Sequence, residues 1–176
     1  MSFAKIIFEL RGASLAQYAA LAQRMPARFR QEVGRGLGAG GNKARTAVRR
    51  ALKDQMGVKR YGTIVAATRG YLDAAAMEYV IEAKGAGLPI KEFPVRVTRK
   101  GVGAKPWGVT HKFKRSFANN GRLLARRGPS RFPIRALRGP SPALELVKDN
   151  TLATFESAVS GVWEPLILAR LEKLLG

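Results

Sequence analysis

The chain has 176 residues and a mass of 19.2 kDa, and its 32 Lys and Arg against 12 Asp and Glu give a formal net charge of +20. This length suits one domain with a buried core, and an apolar fraction of 46% excludes a disordered basic tail. The absence of Cys excludes a disulfide scaffold, a thiolate metal site and a Cys nucleophile, and the single His excludes a metal centre built from several His.

The N-terminal segment, residues 1–56, predicts a short strand followed by a basic helical arm. We expect a strand over residues 3–10, a short helix that Ser14 caps, and a second helix that Pro26 opens and that ends near residue 56. Five glycines between residues 34 and 41 each cost a helix up to about 1 kcal/mol relative to Ala. They predict a kink, a break or a close helix–helix approach in that part of the helix.

Residues 57–141 predict a β-rich, basic core. The glycines of residues 57–77 favour a loop that docks on the core. Apolar and polar residues then alternate, as in strands, over 77–84, 93–102, 109–117, 123–124 and 132–137. These short strands predict a small antiparallel sheet or half-barrel.

The last segment, residues 142–176, predicts one long helix with a kink at Pro165. Gly139 and Pro140 end the preceding strand. A β-rich centre between an N-terminal helical segment and a long C-terminal helix predicts an α+β fold in a single domain, residues 1–176.

The positive charge is confined to two blocks of the chain. Residues 1–60 carry 13 basic and 3 acidic residues, and residues 88–140 carry 14 basic residues and one acidic residue. A polyanion would explain this pattern, and so would acidic protein neighbours. No helix has the polar side chains that read bases, so contact with DNA is expected at the backbone. The cations expected to meet DNA or an acidic partner are Arg45, Arg49, Arg50, Lys53, Arg96, Arg99, Lys100, Lys112, Lys114, Arg115, Arg126, Arg127 and Arg131.

Phe113, Phe117 and Phe132 lie among the cations of the second block. Rings interleaved with cations stack on bases in proteins that bind single strands. A small β core needs the same residues, and we expect these three rings to fill it.

Three further patterns fail as catalytic or ligand sites. Residues 36–41 match G-x-G-x-x-G, but a helical pattern precedes them where a dinucleotide site needs a strand. His111 has no Cys to join it in a metal site, and Asp73, Glu78 and Glu82 have no partner base or nucleophile. We therefore expect no enzyme activity, no cofactor and no metal. No apolar run approaches the ~20 residues of a membrane span, and the N-terminus lacks a signal-peptide pattern, so no membrane contact is expected.

Several stretches in the second half of the chain share a pattern with one protein family. They are residues 87–93 (GLPIKEF), 99–102 (RKGV), Phe117 and, most strongly, 126–141 (RRGPSRFPIRALRGPS). The chain resembles the minor tail protein Z family of lambda-like tailed bacteriophages and prophages, in which an Arg-rich strand and R-[LF]-P-I-R-x-L-x-G-P-S precede a long helix. The resemblance extends in order over about residues 26–170. Where members of the family tend to have a continuous helix rich in Ala and Arg, this chain has the glycine run of residues 34–41. This difference affects how the helix packs or contacts a neighbour.

The strongest stretch also predicts local structure. The expected roles are a strand-edge position for Pro133, core positions for Ile134 and Leu137, solvent positions for Arg135 and Arg138, a strand end at Gly139 and Pro140, and a helix cap at Ser141.

The resemblance implies a structural virion protein rather than an enzyme. It implies assembly in the bacterial host cytoplasm and a place in the tail or neck of the particle. There the protein would complete the head-proximal end of the tail as a hexameric ring around the DNA channel, at the head–tail junction. Its partners would be copies of itself, tail tube or terminator proteins, head connector proteins and viral genomic DNA. Two alternatives stay open: a tail terminator or head-side neck adaptor, and a nonspecific nucleic-acid-binding protein of ribosomal or nucleoid type.

Overall fold

The structure is a computed structural model, and it describes residues 3–8, 27–158, 161, 165–166 and 169–170. The helix predicted after Ser14 lies outside the described residues. The described chain combines helices with small antiparallel sheets, which confirms the predicted α+β class.

The described residues form four α-helices and nine strands. The helices are α1 (Ala27–Met56), α2 (Tyr61–Ala67), α3 (Pro142–Leu146) and α4 (Asp149–Ala158). The strands are β1 (Phe3–Phe8), β2 (Thr68–Asp73), β3 (Glu78–Lys84), β4 (Val95–Thr98), β5 (Gly101–Ala104), β6 (His111–Phe113), β7 (Ser116–Asn119), β8 (Arg122–Arg126) and β9 (Ile134–Ala136). Short 3-10 turns occupy Ile90–Glu92 and Pro106–Gly108. The strands form three sheets, in the orders β1-β3-β2, β4-β5-β6 and β7-β8-β9.

The first sheet is the centre of the core. Strand β3 pairs antiparallel with β1 and β2, and both α1 and α3 contact it. Every residue from Tyr79 to Ala83 is buried, including Val80 and Glu82, which simple alternation places in solvent. A central strand between two strands and two helices keeps no free face, and Glu82 is paired with Lys84 at 3.5 Å.

Helix α1 is unbroken through its glycine run, so the predicted break does not occur. The helix does make a close approach, but to a strand rather than to another helix. A Cβ at Gly41 would collide with the ring of Tyr79 on β3. Gly38 faces Leu72 of β2 with more room. The missing side chains let the helix axis come close to the sheet, which offsets the helix propensity that glycine loses.

A half-buried glutamine joins three helices. Gln55 of α1 donates through Nε2 to the carboxylate of Glu145 at 3.0 Å and to the Glu145 carbonyl at 3.1 Å. Its Oε1 accepts from the backbone N–H and the hydroxyl of Thr151 at 2.9 and 2.8 Å. The full set of hydrogen bonds fixes α3 and α4 against α1, because an unpaired buried amide or carboxylate is costly.

Residues 57–77 are not the predicted loop. They contain α2 and β2. Their glycines predicted a loop, but at least one of them is required by close packing. A Cβ at Gly70 would collide with the Arg45 side chain, so this glycine marks close packing inside a strand rather than a turn.

One predicted strand is a hairpin, another is divided between two sheets, and the predicted C-terminal helix is interrupted. Residues 99–100 and 114–115 are turns, so the expected strands over 93–102 and 109–117 each divide in two. Helix α3 begins where predicted, but the backbone at Asp149 has a φ of 45°, and a second helix starts there. The kink expected at Pro165 falls among residues that are only partly described.

Candidate polyanion-binding groove

The second sheet carries four of the thirteen predicted cations on one face. Its register places Arg96 of β4 opposite Gly103 of β5, and Gly103 opposite Lys112 of β6. Residues directly opposite in a sheet share a face, and alternate residues along each strand do so as well. The same face therefore contains Arg96 and Thr98 on β4, Gly101, Gly103 and Lys105 on and after β5, and Thr110, Lys112 and Lys114 around β6.

This face is an open groove of about 740 Å³. Its floor is the backbone of β5 at Gly101 and Gly103, since a Cβ at Gly103 would meet only carbonyl oxygens, at 3.8 and 3.9 Å. The opposite face of the sheet carries Val102 and Ala104, which are buried in the core. The glycines thus leave a channel between two outer rows of side chains that lie about 10 Å apart, two strand spacings.

Among the described residues, the cations of the groove have no ion-pair partner. Five of them line it, namely Arg96, Lys100, Lys105, Lys112 and Lys114, and all are exposed. Within the described part of the chain none forms an ion pair, and no acidic side chain lines the groove. Like charges this close repel one another, so the groove favours an external anion.

The other predicted cations of this segment lie at the turns that follow β4 and β6. Arg99 adjoins Lys100, and Arg115, whose φ is 56°, adjoins Lys114. Both are exposed at the ends of the groove-bearing sheet. They extend the basic surface without lining the groove.

The third sheet holds the remaining basic cluster. Arg126 lies over the ring of Phe117 at 5.7 Å, and Arg131 lies over the ring of Phe132 at the same distance. Arg127 is exposed, and its backbone N–H donates to the Pro133 carbonyl at 3.0 Å. Ser116 joins this sheet to the groove, because its hydroxyl accepts from the Val102 N–H at 2.7 Å.

The prediction that three phenylalanines fill the core holds only in part. Phe113 packs against the core and Phe117 is half-buried. Phe132 is 65% exposed, so its prediction as a core residue is wrong. It precedes Pro133 in a cis peptide at the start of β9, where the chain runs over the surface.

Two of the four cations predicted on α1 are held inside the fold. Arg49 donates from Nε to the Thr68 hydroxyl at 2.8 Å and from Nη2 to the Thr68 carbonyl at 2.7 Å. Arg45 donates to the Gly70 carbonyl at 3.3 Å. Burial and the nearby charge of Arg45 lower the pKa of Arg49, but a guanidinium stays charged near neutral pH. These two side chains fasten α1 to β2.

The other two cations of α1 face solvent to different degrees. Arg50 is exposed, and Lys53 is partly exposed and lies 3.2 Å from the carboxylate of Asp54. The structure therefore does not gather the four helix cations with those of the groove into one site.

The two longest stretches behind the family resemblance lie side by side. The Leu88 N–H donates to the Pro140 carbonyl at 2.9 Å, and the Gly139 N–H donates to the Leu88 carbonyl at 2.7 Å. Ile90 donates to the Leu137 carbonyl at 3.1 Å. A Cβ at Gly139 would collide with the buried ring of Phe93, so this pairing requires glycine. Residues 87–93 and 137–140 form one structural unit.

The roles predicted within residues 133–141 are mostly as expected. Leu137 is buried and Ile134 is half-buried, while Arg135 and Arg138 are exposed. Ser141 stands at the start of α3, but its hydroxyl donates to the Gly85 carbonyl at 3.0 Å and makes no cap. Ser141 therefore holds the predicted N-cap position, but its side chain makes no capping hydrogen bond and instead fixes the turn after β3.

Sequence reasoning missed three polar groups of the groove. Lys105, Thr98 and Thr110 line it beside the predicted cations. Alternation counted outward from the Gly101–Gly103 pair would have found them, once the turns at residues 99–100 and 114–115 were recognised. The described residues include no cluster of His, Cys, Asp and Glu that could hold a metal ion. Among the described helices, none combines the length and the apolar composition of a membrane span.

Comparisons of the chain with family models, with curated proteins and with solved structures give no match. The resemblance to the minor tail protein Z family stays a prediction.

Proposed function

We propose that this protein is a structural component of a tailed-phage virion that completes the head-proximal end of the tail. It acts by contact and not by catalysis. Six copies form a ring at the head–tail junction, and the groove of the second sheet meets DNA in the channel or acidic neighbours in the neck. Tail tube or terminator proteins and head connector proteins are its protein partners.

The unpaired cations of the groove carry this proposal. Five exposed basic side chains surround a bare glycine floor without a described acidic partner. A polyanion neutralises such a face and releases counterions on contact. The resemblance of residues 126–141 supplies the virion context.

The C-terminal part of the chain supports a structural role. Backbone hydrogen bonds hold residues 87–93 against residues 137–140. Gln55 holds α3 and α4 against α1. A rigid subunit of this kind suits a ring, since repeated contacts need one fixed shape. A ring of basic subunits also needs an anion to offset repulsion, which makes its assembly sensitive to salt.

Cryo-electron microscopy of the particle that encodes this protein tests the proposal. We expect a ring of density at the head–tail junction that fits α1 and the three sheets. Residues 96–114 facing the channel would assign the groove to DNA, and the same ring with these residues turned outward would assign it to protein neighbours. Absence of the protein from purified particles would overturn the proposal.

A nonspecific nucleic-acid-binding protein is the second candidate, and the open groove favours it too. Its function would be complete without assembly into a virion. A monomer that binds free nucleic acid tightly and is missing from particles would support this candidate over the first.

A further inference from the structure

We propose that the groove over β5 binds the phosphodiester backbone of nucleic acid, and that Gly103 is the position that admits it. The inference rests on the polyanion contact proposed above and names its ligand and its site. One strand of DNA or RNA lies along the glycine floor, with Arg96 on one side and Lys112 on the other.

The donor set of the groove fits phosphates. The polar side chains of the groove are ammonium groups, one guanidinium and two hydroxyls, of which the Thr98 hydroxyl already donates to the Gly101 carbonyl at 2.9 Å. These are the side chains that contact phosphate oxygens in nucleic-acid complexes. The groove offers no fixed pattern of acceptors for base edges, so binding depends on charge and not on sequence.

The floor of the groove argues against an acidic peptide as the ligand. Strand β5 is central, and both β4 and β6 are paired with it. Its backbone groups are therefore used, and an added peptide strand cannot pair with them. The groove also carries five exposed cations and, among the described residues, no acidic lining residue. A ligand that repeats negative charge at short intervals fits better, and each strand of DNA carries about one charge per 3.4 Å of its axis.

Gly103 permits a test that changes shape without changing charge. A Cβ there meets only carbonyl oxygens, at 3.8 and 3.9 Å, which is ordinary contact. Because a Cβ fits at this position, we expect Gly103→Leu to fold with its side chain in the middle of the channel. Gly62→Leu is the matched control, because Gly62 is exposed on α2 and a Cβ there has nothing within 4 Å.

The experiment measures fluorescence anisotropy of labelled 20-mers, duplex and single-stranded, with the purified full chain between 50 and 300 mM salt. We expect Gly103→Leu to weaken binding about tenfold near 150 mM salt and Gly62→Leu to leave it unchanged. Circular dichroism checks that both variants fold. Lys105→Gln with Lys112→Gln is a second variant, with Lys43→Gln and Lys91→Gln as its control on exposed cations elsewhere. Each groove cation removed should reduce the slope of log K against log salt by about 0.9 for duplex DNA.

Three outcomes would overturn the inference. The first is a Gly103→Leu variant that folds and binds both oligonucleotides like the wild type. The second is an equal loss from the groove pair and the control pair of lysines. The third is weaker binding of a labelled polyglutamate peptide by Gly103→Leu with DNA binding intact, which would make the groove a protein-docking site. None of these results depends on whether the protein is found in particles, so failure of the groove and failure of the virion role are distinguishable.

Discussion

Gly41 of α1 lies against the face of the Tyr79 ring on β3, so closely that no Cβ fits between them. The phenol of Tyr79 also donates to the side-chain carbonyl of Asn42, the next residue of the helix, at 2.9 Å. One aromatic residue thus fixes both the distance and the rotation of α1 on the first sheet. The glycine run is a packing device at this point of the helix.

Gly41→Ala should therefore destabilise the protein by about 1–3 kcal/mol, the usual cost of overpacking a core. Gly34→Ala is the matched control, because a Cβ at Gly34 has nothing within 4 Å. That variant should be stabilised by up to about 1 kcal/mol through helix propensity alone. Urea unfolding of both variants measures the difference. Equal free energies of unfolding would contradict the close approach.

The contact between Gly139 and Phe93 gives a second prediction. Gly139→Ala pushes a methyl group into a fully buried ring, beside the backbone pairing with Leu88. We expect a loss of about 1–3 kcal/mol and a lower thermal midpoint. Gly128→Ala is the control, since a Cβ there has nothing within 4 Å. A Gly139→Ala variant as stable as the control would show that the 87–93 and 137–140 segments separate easily.

Much of the fold follows from sequence periodicity. Helix α1 and strand β3 are found within one or two residues of their predicted bounds, because their apolar residues repeat clearly. Helix α2 is missed because seven residues are too few for a period to emerge. The turns at residues 99–100 and 114–115 are missed because their residues, two Arg and two Lys, are not turn formers, although Gly101, with a φ of 127°, follows the first.

The sequence predicts the positive charge of the candidate site but not the groove in which the cations lie. The cations of residues 96–114 were expected to meet an anion, but only the register shows that Arg96, Gly103 and Lys112 share a row. Arg45 and Arg49 look like solvent cations on a helical wheel. Their role depends on where β2 packs, and helical periodicity does not contain that information.

Arg49 and its neighbour Arg50 should therefore separate stability from binding. Arg49→Gln removes two hydrogen bonds to Thr68 and should cost about 1.5–3 kcal/mol of stability. Arg50→Gln should leave stability within about 0.5 kcal/mol of the wild type. If α1 contacts nucleic acid, Arg50→Gln should also reduce the salt slope of binding by about 1. Urea unfolding and oligonucleotide anisotropy on the same samples measure both effects. Equal loss of stability in the two variants would contradict the roles assigned here.

The buried phenol of Tyr79 predicts how stability changes in alkali. Burial raises the pKa of Tyr79 above the ordinary value for tyrosine, against the opposing effect of Arg45 and Arg49. The folded state therefore resists loss of this proton more than the unfolded state does. The stabilisation is fully present below pH about 10, and it is lost as the pH rises through the folded pKa.

Tyr79→Phe isolates this contribution from the lysines that titrate in the same range. Near neutral pH the variant should be less stable by about 1 kcal/mol, because the hydrogen bond to Asn42 is lost. Above pH 10 the wild type should lose stability faster, so the difference between the two proteins should shrink. Urea midpoints at pH 8, 10 and 11 measure it. A difference that stays constant with pH would mean that the Tyr79 phenol ionises equally easily in the folded and unfolded chains.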